Sequence, residues 1–205
     1  MGRIVPLALT TCLWEGQGQS QGVPAAAGDD IEVIEHGLRL ARGSDADRAR
    51  FHAGYVSVTS DPGVERVEVV TELRRVVLLA EEHASRSDVG FAHDVRAVGE
   101  ALRPFRNRLT VVMQLRFHAQ NAYAAVPALD LRLGAGPSMQ PAIGMRAEPV
   151  YAFSAESSDV RRVIVGATVE ATFDTVAAGM GIQTLVIHVN HVYLLLATLD
   201  LTRMP

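Results

Sequence analysis

Two alternating apolar runs constrain this chain more than any other feature. They lie between Arg108 and Leu133, in RLTVVMQLRFHAQNAYAAVPALDLRL. In the first, Leu109, Val111, Met113, Leu115 and Phe117 share one parity, and Thr110, Gln114, Arg116 and His118 take the other. Val112 is the one apolar residue on the polar side. In the second, Tyr123, Ala125, Pro127, Leu129, Leu131 and Leu133 share a parity. Successive side chains of a strand point to opposite faces, so a period of two describes strands with one buried face. Ala119, Gln120 and Asn121 lie between the runs and suit a short hairpin connection. The expectation is a hairpin over 108–133 at the centre of the fold.

The last third is rich in the same signal. Val163, Val165, Ala167, Val169, Ala171 and Phe173 alternate with Ile164, Gly166, Thr168, Glu170 and Thr172, which predicts a long strand over 162–173. No charged residue occurs from Ile182 to Leu199, a length that could span a bilayer. Gln183, His188, Asn190 and His191 would then sit in hydrocarbon, so no internal transmembrane helix is expected. Val189-Asn190-His191-Val192 reads instead as a hairpin turn, because Asn tolerates the positive φ that tight turns need. Leu194 to Leu196 are apolar on both parities, which predicts a strand covered on both faces. Residues 134–149, with three glycines and three prolines, read as a long surface loop, and Val150 to Phe153 as a short strand.

The N-terminal half reads as helical. Asp29 or Asp30 can cap a helix carrying Ile31, Ile34, Leu38 and Ala41, with Gly43 placed to end it. Ser44 opens a capping box with Asp47, and a second helix can run to Ala53. The mixed charge of this pair, with no recognition helix, sets aside a DNA-binding helix-turn-helix. Tyr55 to Thr59 has the composition of a short strand. Val64 to Ala84 is expected to be one helix, opened by Asp61-Pro62 and striped by Val70, Leu73, Val77 and Ala80. Its valine content supports a strand as the competing reading. Phe91, Val95, Val98 and Leu102 give another amphipathic helix, ended by Pro104.

Together these elements predict an α+β fold, an N-terminal helical region packed on an antiparallel, sandwich-like β domain built from hairpins. Residues 29–205 are expected to form a single domain, mainly helical over 29–104 and mainly antiparallel β over 105–205. Residues 1–28 form a signal-like segment and flexible linker. Arg3 supplies a charged start and Ile4 to Trp14 an apolar stretch. Leu9-Thr10-Thr11-Cys12 resembles a bacterial lipoprotein signal, which would make Cys12 the lipidated residue and the N-terminus a membrane tether. Ala25 and Ala27 match the small-x-small pattern of ordinary signal cleavage. A periplasmic or extracellular location is therefore expected, with a cytoplasmic protein bearing a disordered N-terminus as the alternative.

Composition narrows the function classes. A formal charge of −4 argues against a general nucleic-acid binder, which needs a basic surface. Cys12 is the only cysteine, so neither an internal disulfide nor a cysteine-based zinc site can form. His118, His188 and His191 flank predicted turns, but their spacing matches no metal motif, and no metal or cofactor is expected. Glu65, Glu68, Glu72, Glu81 and Glu82 alternate with Arg66, Arg74 and Arg75, and read as a solvated helix face rather than an acid–base pair. Arg103, Arg106 and Arg108 could hold an anion or complement a helix C-terminus.

The chain carries no GxSxG elbow, phosphate-binding loop or GxGxxG fingerprint. The residues that remain as ligand-binding candidates are Arg116, His118, Gln120 and Asn121, at the expected hairpin tip. The resulting expectation is a non-enzymatic extracytoplasmic binding or scaffold module with a protein partner. The alternatives are an enzyme with a polar site at the hairpin tips, and a structural subunit of a larger assembly. The parity of the first run makes a direct prediction. Met113→Asp should destabilise the fold by several kcal/mol, because it buries an unpaired charge, whereas Gln114→Asp should cost little. Equal shifts in denaturant melts would refute the assigned faces.

Overall fold

The structure is a computed structural model and describes residues 27–57, 59, 61–118, 123–136, 138–153, 162–175, 181–190 and 192–204. The chain begins with α1 (Ala27–Ala41) and α2 (Asp45–Ala53), then a two-residue strand β1 (Val56–Ser57). β2 (Val64–Val70) leads directly into α3 (Glu72–Ser85), and α4 (Val95–Leu102) completes the helices. The strands that follow are β3 (Arg108–Arg116), β4 (Leu129–Gly134), β5 (Gln140–Pro141), β6 (Gly144–Phe153), β7 (Arg162–Asp174), β8 (Ile182–Val189) and β9 (Val192–Asp200).

The helix ends follow local chemistry. The Ser44 hydroxyl accepts from the Asp47 N–H at 3.2 Å, and the Asp47 carboxylate accepts from the Ser44 hydroxyl at 2.6 Å and from the Ser44 main chain, so the expected capping box forms. Thr71 caps α3 and Asp94 caps α4 by the same kind of bond. Three expectations need correction here. α1 begins at Ala27, ahead of Asp29 and Asp30. The helix expected from Phe91 is broken by the Asp94 cap, leaving a short 3-10 turn over Phe91–His93. The helix expected over 64–84 divides at Thr71 into β2 and α3. Asp61 makes a turn, accepting from the Gly63 N–H at 2.7 Å, and delivers the chain into a strand. Val64, Val67, Val69 and Val70 are all buried, so tertiary pairing exploits their β preference.

The strands form two antiparallel sheets. One has five strands in the order β1-β2-β3-β7-β6, and the other four in the order β5-β4-β8-β9. Their inner faces share one core that includes Val67, Leu109, Val111, Met113, Leu115, Leu131, Leu133, Val169, Phe173, Leu185 and Ile187. The parity of the first run is thus as expected, with Met113 fully buried and Gln114 exposed; in the second it holds over Leu129–Leu133, whereas before β4 Ala125 is exposed and Val126 packs against the core.

The pairing is not as expected. β3 bonds to β2 and β7, and β4 bonds to β5 and β8 in the other sheet, so 108–133 is a sheet-to-sheet crossover and no hairpin. A period of two reports which face is buried and carries no information about the neighbouring strand. The loop expected over 134–149 is also corrected, since β5 and most of β6 lie there. β6 accommodates Pro149 because it lies at the edge of its sheet, paired among the described strands with β7 alone. The β8–β9 hairpin forms as expected, with Asn190 at φ +48. His191 and the side chains of Leu194 to Leu196 lie outside the described residues.

The helices pack mainly on one another. Ile34, Leu38, Val76, Ala80, Val98 and Leu102 form a core of their own, and Phe51, Tyr55 and Val77 a smaller one beside it. No helix among the described residues is long and apolar enough to cross a membrane. Two glycines permit close approaches. A Cβ on Gly37 of α1 would lie 2.6 Å from Val76 Cγ1, and one on Gly166 of β7 would lie 2.2 Å from the Leu115 carbonyl oxygen. Gly37→Ala should therefore lower stability by about 1–3 kcal/mol despite the better helix propensity of Ala. Gly166→Ala should cost more, because a backbone atom cannot turn aside. Thermal melts that rank the two in the opposite order would contradict this packing.

Candidate functional site

The residues expected at the hairpin tip are distributed differently. Arg116 ends β3, is exposed, and forms an ion pair with Glu65 on the adjacent β2. That contact is a cross-strand pair of the kind that supports a sheet. His118 follows two residues later and is exposed. Gln120 and Asn121 lie outside the described residues, as does Cys12. His188 faces Asp130 across the β4–β8 ladder. Among the described residues no group of three or more His, Cys, Asp or Glu side chains is placed to hold a metal ion.

The carboxylates fall on two elements rather than one helix. Glu68 on β2 binds Arg66 at 2.8 Å and Arg74 at 2.7 Å. Glu81 on α3 binds Arg48 at 3.1 Å and His52 at 3.0 Å, and Glu82 binds Arg86 at 2.6 Å. Glu72 accepts from the Asn107 N–H at 2.5 Å, tying the start of α3 to the entry of β3. These groups are joined to cations or to main chain. Among the described residues none is paired with a second carboxylate, the arrangement that acid–base catalysis by two carboxyl groups requires. Arg103, Arg106 and Arg108 do not act as one cluster. Arg103 and Arg106 line a groove of about 580 Å³ between α1 and α4 with Ile31 and Val95. Arg108 borders a separate cavity of about 350 Å³, walled by Val33, Leu73, Leu109, Leu201 and Met204.

Two arginines join the helical layer to the five-stranded sheet. Arg74 is buried, donates to the Val69 carbonyl at 2.6 Å, and stands over the Tyr55 ring at 5.3 Å. Arg75 donates to the Thr110 hydroxyl at 2.8 Å and lies 4.0 Å from the centroid of Phe105. Burial pulls the Arg75 pKa below its usual value, and the Glu170 carboxylate opposes that shift. Burial raises the Tyr55 hydroxyl above its usual value, against a hydrogen bond to Thr71 and the nearby Arg74 charge. These residues organise the joint between layers, with Tyr55, Arg74 and Thr110 buried and Arg75 and Phe105 partly so.

A group of exposed apolar side chains lies elsewhere, on a strand whose first six residues fall in the expected loop and whose last four fall in the expected short strand. Along β6 and its approach, Ile143 is 57% exposed, Met145 46%, Val150 44% and Tyr151 49%. One edge of β6 bonds to β7, and among the described residues the other has no strand beside it. The available signal was a weak alternation, with Met145, Ala147 and Pro149 on one parity and Arg146 and Glu148 on the other. Glycine and proline around it masked that signal. Chemically, such an edge offers main-chain donors and acceptors together with apolar side chains, the requirements for adding a strand.

No protein-family model, curated protein or solved structure matches this chain.

The Tyr55 shift sets a pH dependence. Its folded pKa lies above the unfolded value of 10.0, so the neutral hydroxyl is the form the fold favours. The associated stability is complete below the unfolded pKa and is lost as pH rises through the folded value. Tyr55→Phe should flatten that alkaline limb in melts recorded between pH 9 and about pH 11.5. An unchanged slope would show that Tyr55 titrates as an exposed phenol.

Proposed function

We propose that this chain is a non-enzymatic binding or scaffold module that works in the periplasm or extracellular space, with β6 as its contact strand. One observation carries the reading: a ten-residue edge strand with four large exposed apolar side chains on it and at its entry. Soluble proteins usually guard long edges with charge, proline, bulges or a covering segment. β6 has Arg146, Glu148 and Pro149, but these are interspersed with the apolar groups and do not replace them. A protein partner that adds a strand would satisfy the edge and cover those side chains. The extracytoplasmic location draws on the signal-like start and the linker that follows, and a tether through Cys12 belongs to the same reading.

A structural subunit of a larger assembly is the second reading, and the same edge favours it over an enzyme. Both readings need β6 to be occupied in the cell. The test places a photoreactive residue at position 145 of the full chain, in cells that make the protein, and follows it by fractionation and N-terminal sequencing. A cross-linked protein adduct from an extracytoplasmic fraction, on a chain cleaved or lipid-modified near its start, is the expected result. A chain that keeps Met1, stays in the cytosol and yields no adduct would overturn the proposal.

A further inference from the structure

We infer that the partner of β6 is a second copy of the same chain, paired antiparallel about a two-fold axis through Ala147. The inference rests on the reading of β6 as the contact strand and names what occupies it. It begins with the direction of the main-chain groups. Phe117 donates to the Val165 carbonyl at 2.8 Å, so the odd residues of β7 turn their hydrogen-bonding groups toward β3. The even residues of β7 turn theirs toward β6, and Thr172 accepts from Ile143 at 2.8 Å. Gly144, Arg146, Glu148 and Val150 face those even residues. The main-chain groups of Met145, Ala147 and Pro149 are therefore the ones presented at the free edge.

The regular part of the ladder is itself symmetric about Ala147. It runs from Gly144 to Val150, where the register shifts between Val150 and Tyr151. Two copies paired about Ala147 would set Arg146 opposite the Glu148 of the second copy, and Glu148 opposite its Arg146. Both charges lie on the outer face, and both are exposed, paired with each other along the strand at 2.5 Å. On the other face Met145 would meet Pro149, and Ala147 would meet Ala147. Just beyond, Ile143 and Tyr151 are brought toward each other across the axis, which would cover two of the four exposed apolar side chains.

The charges also select the register. Moving the axis to residue 146 sets Arg146 against Arg146, and moving it to residue 148 sets Glu148 against Glu148. Like charges directly opposite each other destabilise a ladder. Pro149 has no N–H, so two bonds are missing from the Ala147-centred pairing. The two bonds between the Ala147 residues remain, as does one from each Met145 N–H to the Pro149 carbonyl across the axis. A proline at this place weakens indiscriminate strand addition while leaving the self-complementary register intact.

The test measures association of the purified full-length chain by sedimentation over a range of concentrations, with melts to confirm that each variant is folded. The native chain should dimerise. Arg146→Glu and Glu148→Arg should each weaken the dimer by about tenfold or more, because each replaces two attractive pairs with two repulsive ones. The double variant should restore it, and a mixture of the two single variants should form a heterodimer that neither forms alone. A native chain that stays monomeric, or a double variant with no recovery, would overturn the inference. The cross-link from position 145 separates this from the broader reading. An adduct of twice the chain mass supports self-pairing. An adduct with a different protein overturns self-pairing and leaves β6 as a contact strand, and no adduct removes both.

Discussion

Four side chains on one strand govern the arrangement of the rest. Leu109, Val111, Met113 and Leu115 are buried on the inner face of β3, opposite the stripes of β4 and β8. A slip of one residue would turn Thr110, Gln114 and Arg116 into that core, so the register of β3 is strongly determined. β2 and β7 bond to its two edges, and their own inward residues follow: Met113 pairs with Val67 on one side and Val169 on the other. With β3 central, the edges of its sheet fall to β1, which is two residues long, and to β6, which is ten. The exposed strand on which the functional proposal depends is thus a consequence of where β3 sits.

The helical layer is a second body of packing, joined to the first along the start of α3. Its apolar residues face one another, and its link to the sheet runs through Tyr55, Thr71, Arg74 and Arg75. A buried guanidinium is costly unless it is paired, and Arg74 has both the Glu68 carboxylate and the Val69 carbonyl. Both partners belong to β2, so the helix that follows is held to the strand that precedes it. The sharp turn at Thr71 and this arginine act together, which is why a single residue can separate a strand from a helix.

Much of this could be read along the chain. The buried parity of 109–115, the Ser44–Asp47 capping box and the turn at Asn190 each formed as expected. Each depends on interactions spanning a few residues. The misread elements share a different property. Residues 64–70 have a helical stripe and a valine-rich strand composition at once, and only pairing with β3 decides between them. β6 carries Gly144 and Pro149, which normally argue for a loop, and it becomes a strand because β7 offers an edge that does not need the proline N–H. Of the expected site residues, Arg116 proved to be paired across the sheet with Glu65. The exposed apolar side chains of β6 carried no motif to mark them.

By itself the sequence determined which side chains of β3 turn inward, where several helices are capped, and that a mainly helical region precedes most of the antiparallel strands. These follow from chain geometry, since a side chain's direction is set by its own backbone and a cap by residues three positions away. Only the tertiary structure decided that the two alternating runs belong to opposing sheets, that 64–70 is extended, and that β6 is left at an edge. Strand partners are chosen by long-range burial, which compares segments far apart in the chain, and no local pattern within either segment contains that comparison.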